Sequence, residues 1–209
     1  AGVVWDYWSP PMSFPYFFDT RVDTVPADLP YLQVEPQQVA DWAQALGDKG
    51  GALRVGLVWK GNPRFENDSE RSLRSLAELA PLGDVAGVRF YSLQKGAGEA
   101  EAAASPFPIV DLAPRIADFS DTAAILANLD LLISVDTAVA HLAGALGRPC
   151  WLLLPDYKTD WRWLTERTDS PWYPGVMRLF RQGAAGGWTP VVAALRAALM
   201  AHPGRKPPG

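Results

Sequence analysis

The chain has 209 residues, 48% hydrophobic and 20% charged, which excludes wholesale disorder and allows one large domain or a domain plus a fragment. Its net charge of −4 at pH 7 lacks the basic footprint of a nucleic-acid binder. The single cysteine, Cys150, excludes an intrachain disulfide and a cysteine-based metal cluster, and fits a reducing setting such as the cytoplasm.

Residues 1–36 differ from the rest. They hold Pro10, Pro11, Pro15, Pro26, Pro30 and Pro36, with Trp5, Tyr7, Trp8, Phe14, Tyr16, Phe17, Phe18 and Tyr31 between them. Proline at this density rules out long helices and central strands. So many aromatics imply an ordered, extended segment wrapped over a surface. The start, Ala1-Gly2-Val3, lacks a Met and a basic leader, so no signal peptide is visible. A piece of a longer chain is expected, with residues 1–36 as connector from a preceding domain.

From residue 37 onward, helical and strand patterns alternate. A helix is predicted over 37–46, closed by Gly47, and a buried strand over 53–59. Then follow a helix over 72–79 stopped by Pro81, a strand over 88–93, a short helix over 99–104 and a short strand over 109–112. A helix over 120–129 has Ser120 as its expected N-cap. Strand 131–135 and helix 138–146, closed by Gly147 and Pro149, come next. Strands over 150–154 and 177–180 and a helix over 188–200 complete the domain, residues 37–201; residues 202–209 read as a frayed, flexible tail. This alternation specifies an α/β, Rossmann-like parallel sheet of about six strands with helices on both faces. No apolar run reaches the roughly 18 residues of a membrane-spanning helix.

Ligands of such sheets bind outside the carboxyl ends of the strands. There the chain places Lys60-Gly61-Asn62-Pro63, Gln94-Lys95-Gly96, Asp136-Thr137, Pro155-Asp156-Tyr157-Lys158 and Arg181-Gln182. A local positive rim on an acidic body suits a small anion, although loops are polar in any case. In the stretch from Leu131 to Pro149, a strand stops at Asp136 and a helix begins almost at once, capped by Asp136 or Thr137. Val139, Leu142, Ala143 and Leu146 follow the helical period and form its buried face. Its free amides and positive dipole end make an anion site, toward which His141 leans. The residues alone leave open that His141 is an ordinary surface histidine and Asp136 a plain cap. Gly96-Ala97-Gly98 lacks the third glycine of a dinucleotide fingerprint, no phosphate loop or Gly-x-Ser-x-Gly elbow occurs, and two distant histidines make no zinc site.

Several stretches together resemble a known family: Val55 to Pro63, Glu70-Arg71-Ser72-Leu73, Ser92 to Gly96, Asp118 to Ala123, Ser134 to Gly147, Asp160-Trp161-Arg162-Trp163 and Ser170-Pro171-Trp172-Tyr173-Pro174. They are similar, in order, to bacterial heptosyltransferase-like glycosyltransferases, and in particular to the domain often fused behind tetratricopeptide repeats. The resemblance implies the C-terminal, donor-binding half of a GT-B fold, with the N-terminal half or repeats elsewhere in the parent. It implies an inverting, metal-independent enzyme, without cofactor, that uses a nucleoside-diphosphate sugar, with nucleobase, sugar and acceptor unspecified. Asp136, Thr137 and Ala138 would hold the diphosphate, with His141 near phosphate or ribose. Lys60 and Arg71 would approach the phosphates, and Gln94 and Lys95 the diphosphate or nucleoside. Ala138 departs from the glycine common after Asp-Thr. The catalytic base is implied on the other domain, which leaves this chain inactive by itself. The aromatic segment, stripped of its partner, is expected to self-associate. The alternative is a non-catalytic GT-B-derived scaffold domain beside protein-interaction repeats.

Overall fold

A computed structural model describes residues 4–205. After two short turns, Pro11–Ser13 and α1 (Phe14–Phe17), the chain enters α2 (Pro36–Leu46), then β1 (Leu53–Val58), α3 (Asp68–Arg71), β2 (Val88–Ser92) and β3 (Ile109–Asp111). The second half runs through α4 (Phe119–Asn128), β4 (Leu131–Val135), α5 (Ala138–Ala145), β5 (Cys150–Leu154), β6 (Met177–Arg181) and α6 (Thr189–Met200). The six strands are parallel, in the order β3-β2-β1-β4-β5-β6. This is the doubly wound order, and its switch point lies between β1 and β4.

Burial on both faces explains why the central strands read as continuous apolar runs. Every residue of β1, β4 and β5 is buried. Leu53, Val55 and Leu57 of β1 face one core, closed by Leu76, Leu79 and Leu82 and by Val191, Val192, Leu195 and Leu199 of α6. On the other face, Val58, Leu132, Cys150 and Leu152 pack under Trp42 and Leu46 of α2, Ala124, Ile125 and Leu126 of α4, and α5. Gly56 has no side chain because a Cβ there would lie 2.6 Å from Leu129 Cδ1.

Four local expectations are corrected. The helix predicted over 72–79 is instead a non-helical stretch, 72–75, between the short α3 and a 3-10 turn, Leu76–Leu82. The intervening chain is extended: the Leu73 amide donates to the Trp59 carbonyl at 2.9 Å. Pro81 lies inside the 3-10 turn, where it supplies no N–H for a longer helix. Residues Glu99–Ala104 also form 3-10 rather than α-helix. Asp118, not Ser120, caps α4, its carboxylate accepting from the Ser120 and Asp121 amides at 2.7 and 3.1 Å. The fully buried residues of α5 are Ala140, Ala143, Gly144 and Ala145, while Val139, Leu142 and Leu146 are half-buried. Small residues let this helix lie deeper than its large apolar residues suggested.

The amino-terminal segment does not wrap a surface as expected. Trp5 is 73% exposed, Tyr7 94% and Trp8 81%, with Tyr16, Phe17 and Phe18 also exposed. All hydrogen bonds described for residues 4–28 stay within that stretch. Attachment begins at Leu29, which packs against the core, and continues where the Tyr31 and Leu32 amides donate to the Ala145 carbonyl at 3.0 and 3.2 Å. At the other end, His202 packs beside the Trp151 ring and Arg205 donates to the Ala86 carbonyl at 3.2 Å. The rest of the tail expected to fray, 206–209, lies outside the described residues.

Candidate functional site

Two cavities meet at the carboxyl ends of β1, β2, β4 and β5. The larger, about 670 Å³, is lined by Lys60, Gly61 and Asn62 after β1, Gln94, Lys95 and Gly96 after β2, the stretch from Ile116 to Phe119, and Thr137, Ala138 and Val139 at the start of α5. The smaller, about 390 Å³, is lined by Asp136, His141, Phe65 and the loop after β5, including Tyr157, Lys158 and Asp160. Arg71, Thr137 and Ala138 border both. All eight residues singled out from the sequence therefore come together at one sheet edge.

No side chain caps α5, contrary to expectation. Thr137 sits at the cap position, but its hydroxyl is 3.1 Å from that of Ser134. Asp136 turns away, its Oδ2 accepting from the Trp163 indole at 2.9 Å. The Ala140 and His141 amides reach the Thr137 carbonyl, and the first amides of the helix open onto the cavities without a protein partner. Uncapped amides at the positive end of a helix are suited to an anionic oxygen.

The positive rim is more neutralised than composition suggested. Lys60 is paired with Glu101, Arg71 with Asp68 through Nε at 3.0 Å, and Lys95 with Glu99 at 3.4 Å. Burial pushes the Glu101 carboxyl up, but the Lys60 ammonium, the Leu76 amide and the Trp59 indole outweigh it and hold it below the usual carboxylate range. Arg71 keeps spare capacity: its Nη groups make no hydrogen bond among the described residues, and its guanidinium lies over the Phe65 ring at 4.4 Å. Gly61 makes room for it, since a Cβ there would sit 2.6 Å from Arg71 Nη2.

Gln94 has a different part. Its side chain is 1% exposed and all its polar atoms are used internally. Oε1 accepts from the Trp59 and Lys60 amides, each at 2.9 Å, while Nε2 donates to the carbonyls of Lys60 at 3.0 Å, Ala97 at 2.9 Å and Lys95 at 3.3 Å. It ties the β1 and β2 loops together and leaves no free amide for a ligand. His141 lies with its Nε2 3.6 Å from Asp136 Oδ1. Burial lowers its pKa, as does Arg162; Asp136 and Asp160 oppose this, and the net shift is downward, toward the neutral ring.

Sequence reasoning missed part of the wall. Ile116, Ala117 and Phe119 give the larger cavity an apolar side together with Val58, Leu93 and Val139. Their only signal was membership of the Asp118 to Ala123 stretch or its vicinity. No group of three or more His, Cys, Asp or Glu residues able to hold a metal ion occurs among the described residues.

Residues 77–153 match the model of glycosyltransferase family 9 (heptosyltransferase). The chain is 32% identical over 204 residues to Protein FlbA of Caulobacter vibrioides, covering 93% of this chain and 33% of that protein. Among solved structures it is similar to E. coli ADP-heptose lps heptosyltransferase II (TM-score 0.57, 19% identity, 85% of this chain and 56% of that one). E. coli heptosyltransferase WaaC with ADP-2-deoxy-2-fluoro heptose is also similar (TM-score 0.52, 18% identity, 70% and 42%). The chain thus shares the α/β fold of these heptosyltransferase structures and spans about a third of the curated relative.

Proposed function

We propose that the chain binds the nucleoside diphosphate of a sugar donor across the start of α5, as the donor-binding domain of an inverting, metal-independent glycosyltransferase. One observation carries the reading: a helix start left uncapped between two cavities, beside a guanidinium with spare donors. The family match over 77–153 supports the reaction class, and the ADP-2-deoxy-2-fluoro heptose bound to a similar heptosyltransferase supports the ligand class. The flat apolar side of the larger cavity suits a nucleobase, the α5 amides the diphosphate, and the smaller cavity the sugar. Charge gathers on the leaving diphosphate as the glycosidic bond breaks. Fixed amides and Arg71, with Lys60 at the cavity wall, stabilise that charge without a metal ion. The base, the acceptor and any attached repeats belong to the rest of a longer protein in this reading, and the cytoplasm is its setting.

A second reading, a non-catalytic binding or scaffold domain, is favoured by the ion pairs that already occupy Lys60, Arg71 and Lys95. Calorimetry separates the two. Arg71→Ala and Thr137→Val are each expected to weaken nucleoside diphosphate binding. Loss of a charge-assisted hydrogen bond costs about 1.5–3 kcal/mol, about tenfold or more in affinity. Unchanged affinity in both variants would remove the proposed phosphate site.

The exposed aromatic segment is read as an interface. Large apolar patches on soluble proteins find a cover. We expect light scattering at micromolar concentration to show self-association that is lost when residues 1–18 are removed. A monomer in both forms, with unchanged thermal stability, would mean that the segment is neither interface nor core.

A further inference from the structure

The two aromatic stretches, Asp160 to Trp163 and Ser170 to Pro174, have so far had no chemical task. Both converge on His141. Trp163, fully buried, stacks on the imidazole with ring centroids 5.2 Å apart and planes 24° apart, while its indole N–H holds Asp136. Tyr173, 7% exposed, places its hydroxyl 2.9 Å from His141 Nδ1. Gly144 makes that possible: a Cβ there would lie 2.4–2.6 Å from three atoms of the Tyr173 ring. The imidazole is therefore held on one face by Trp163, on its Nδ1 edge by Tyr173 and on its Nε2 edge by Asp136.

These contacts select a tautomer. A carboxylate 3.6 Å from Nε2 is attracted by an N–H and repelled by a lone pair. The neutral ring then carries its proton on Nε2, and Nδ1 is the acceptor. We infer that Tyr173 is a positioning residue: its hydroxyl donates to His141 Nδ1 and fixes the tautomer whose Nε2–H faces Asp136 at the mouth of the smaller cavity. Other charged groups near the ring do not compete for Nδ1. Asp160 and Arg162 come from the loop after β5 and are paired with each other, and Arg71 comes from α3 across the cavity. His141 thus turns an oriented, uncharged N–H toward the space between Asp136 and the smaller cavity. The inference depends on the reading above only for the ligand that this N–H meets.

The chain has two histidines, His141 and His202, so nitrogen-15 NMR of the imidazoles resolves the tautomer directly, with His202→Gln for assignment. In the unmodified, ligand-free chain we expect His141 protonated at Nε2, with Nδ1 hydrogen-bonded. In Tyr173→Phe the Nδ1 resonance moves to that of a free pyridine-type nitrogen, and Gly144→Ala, which displaces the ring, moves it the same way. Protonated Nδ1 in the unmodified chain, or an unmoved resonance in Tyr173→Phe, would overturn the inference, whether or not any nucleotide binds. With ADP as probe, Tyr173→Phe is expected to weaken binding about two- to tenfold, as for loss of one neutral hydrogen bond. The loss is expected to vanish when His141 is already Ala. Additive losses would show that Tyr173 does not act through the histidine. Failure of ADP to bind the unmodified chain would count against the nucleotide reading and leave the tautomer result to decide this one.

Discussion

Given a nucleoside-diphosphate sugar and an acceptor, the 209-residue chain is expected to bind donor and release no product above the buffer background. An inverting transfer needs a base on the acceptor hydroxyl, and a carboxylate serves only if it can reach that proton and take it up. The carboxylates bordering the two cavities are otherwise engaged. Asp118 accepts two amides at the start of α4, Asp136 holds the Trp163 indole, and Asp160 accepts from Arg162 at 2.8 and 2.9 Å. Each of these bonds occupies a carboxylate oxygen that would otherwise take up the acceptor's proton. Product quantified by mass spectrometry, with and without the chain, checks the expectation. Turnover by the chain alone would place a base among these carboxylates, and Asp118→Asn and Asp160→Asn would show which.

Gln94→Ala is the substitution expected to cost most stability. The amide satisfies two N–H groups and up to three carbonyls of the β1 and β2 loops from a position that water does not reach. Leaving such groups without partners costs about 1–3 kcal/mol each, but the adjoining cavity would let water rehydrate some. A net loss of about 2–4 kcal/mol follows, a fall of roughly 5–15 °C in the thermal midpoint for a chain of this size. Thermal unfolding followed by circular dichroism measures it. A midpoint within a degree of the unmodified chain would show that the loops do not depend on this side chain.

The sheet was legible because its strands are buried on both faces and so read as apolar runs punctuated by Gly, Pro and polar turns. Predicted strand bounds over 131–135 and 150–154 match β4 and β5 residue for residue. That the eight candidate residues lie together was legible for a related reason: strand ends specify where loops converge, and a parallel sheet puts those ends at one edge. Less was readable where distant residues compete for a backbone group. Nothing in the local sequence reveals that Trp59 would claim the Leu73 amide and unwind the predicted helix over 72–79. Nor does spacing show that Trp163, 27 positions away, draws Asp136 off the start of α5, or that Tyr173, 32 positions away, meets His141. The aromatics of residues 4–18 mark the opposite failure. Their apolar character predicted burial, but burial needs a surface, and no such cover is present in the described chain.

Calorimetric titration of the unmodified chain with ADP, UDP and GDP, in the presence of a chelator, tests the nucleotide site most directly. The account predicts saturable one-to-one binding of at least one of the three, undiminished by removal of divalent cations and weakened about tenfold or more in Arg71→Ala. Absence of binding by all three, or binding that Arg71→Ala leaves unchanged, would contradict it.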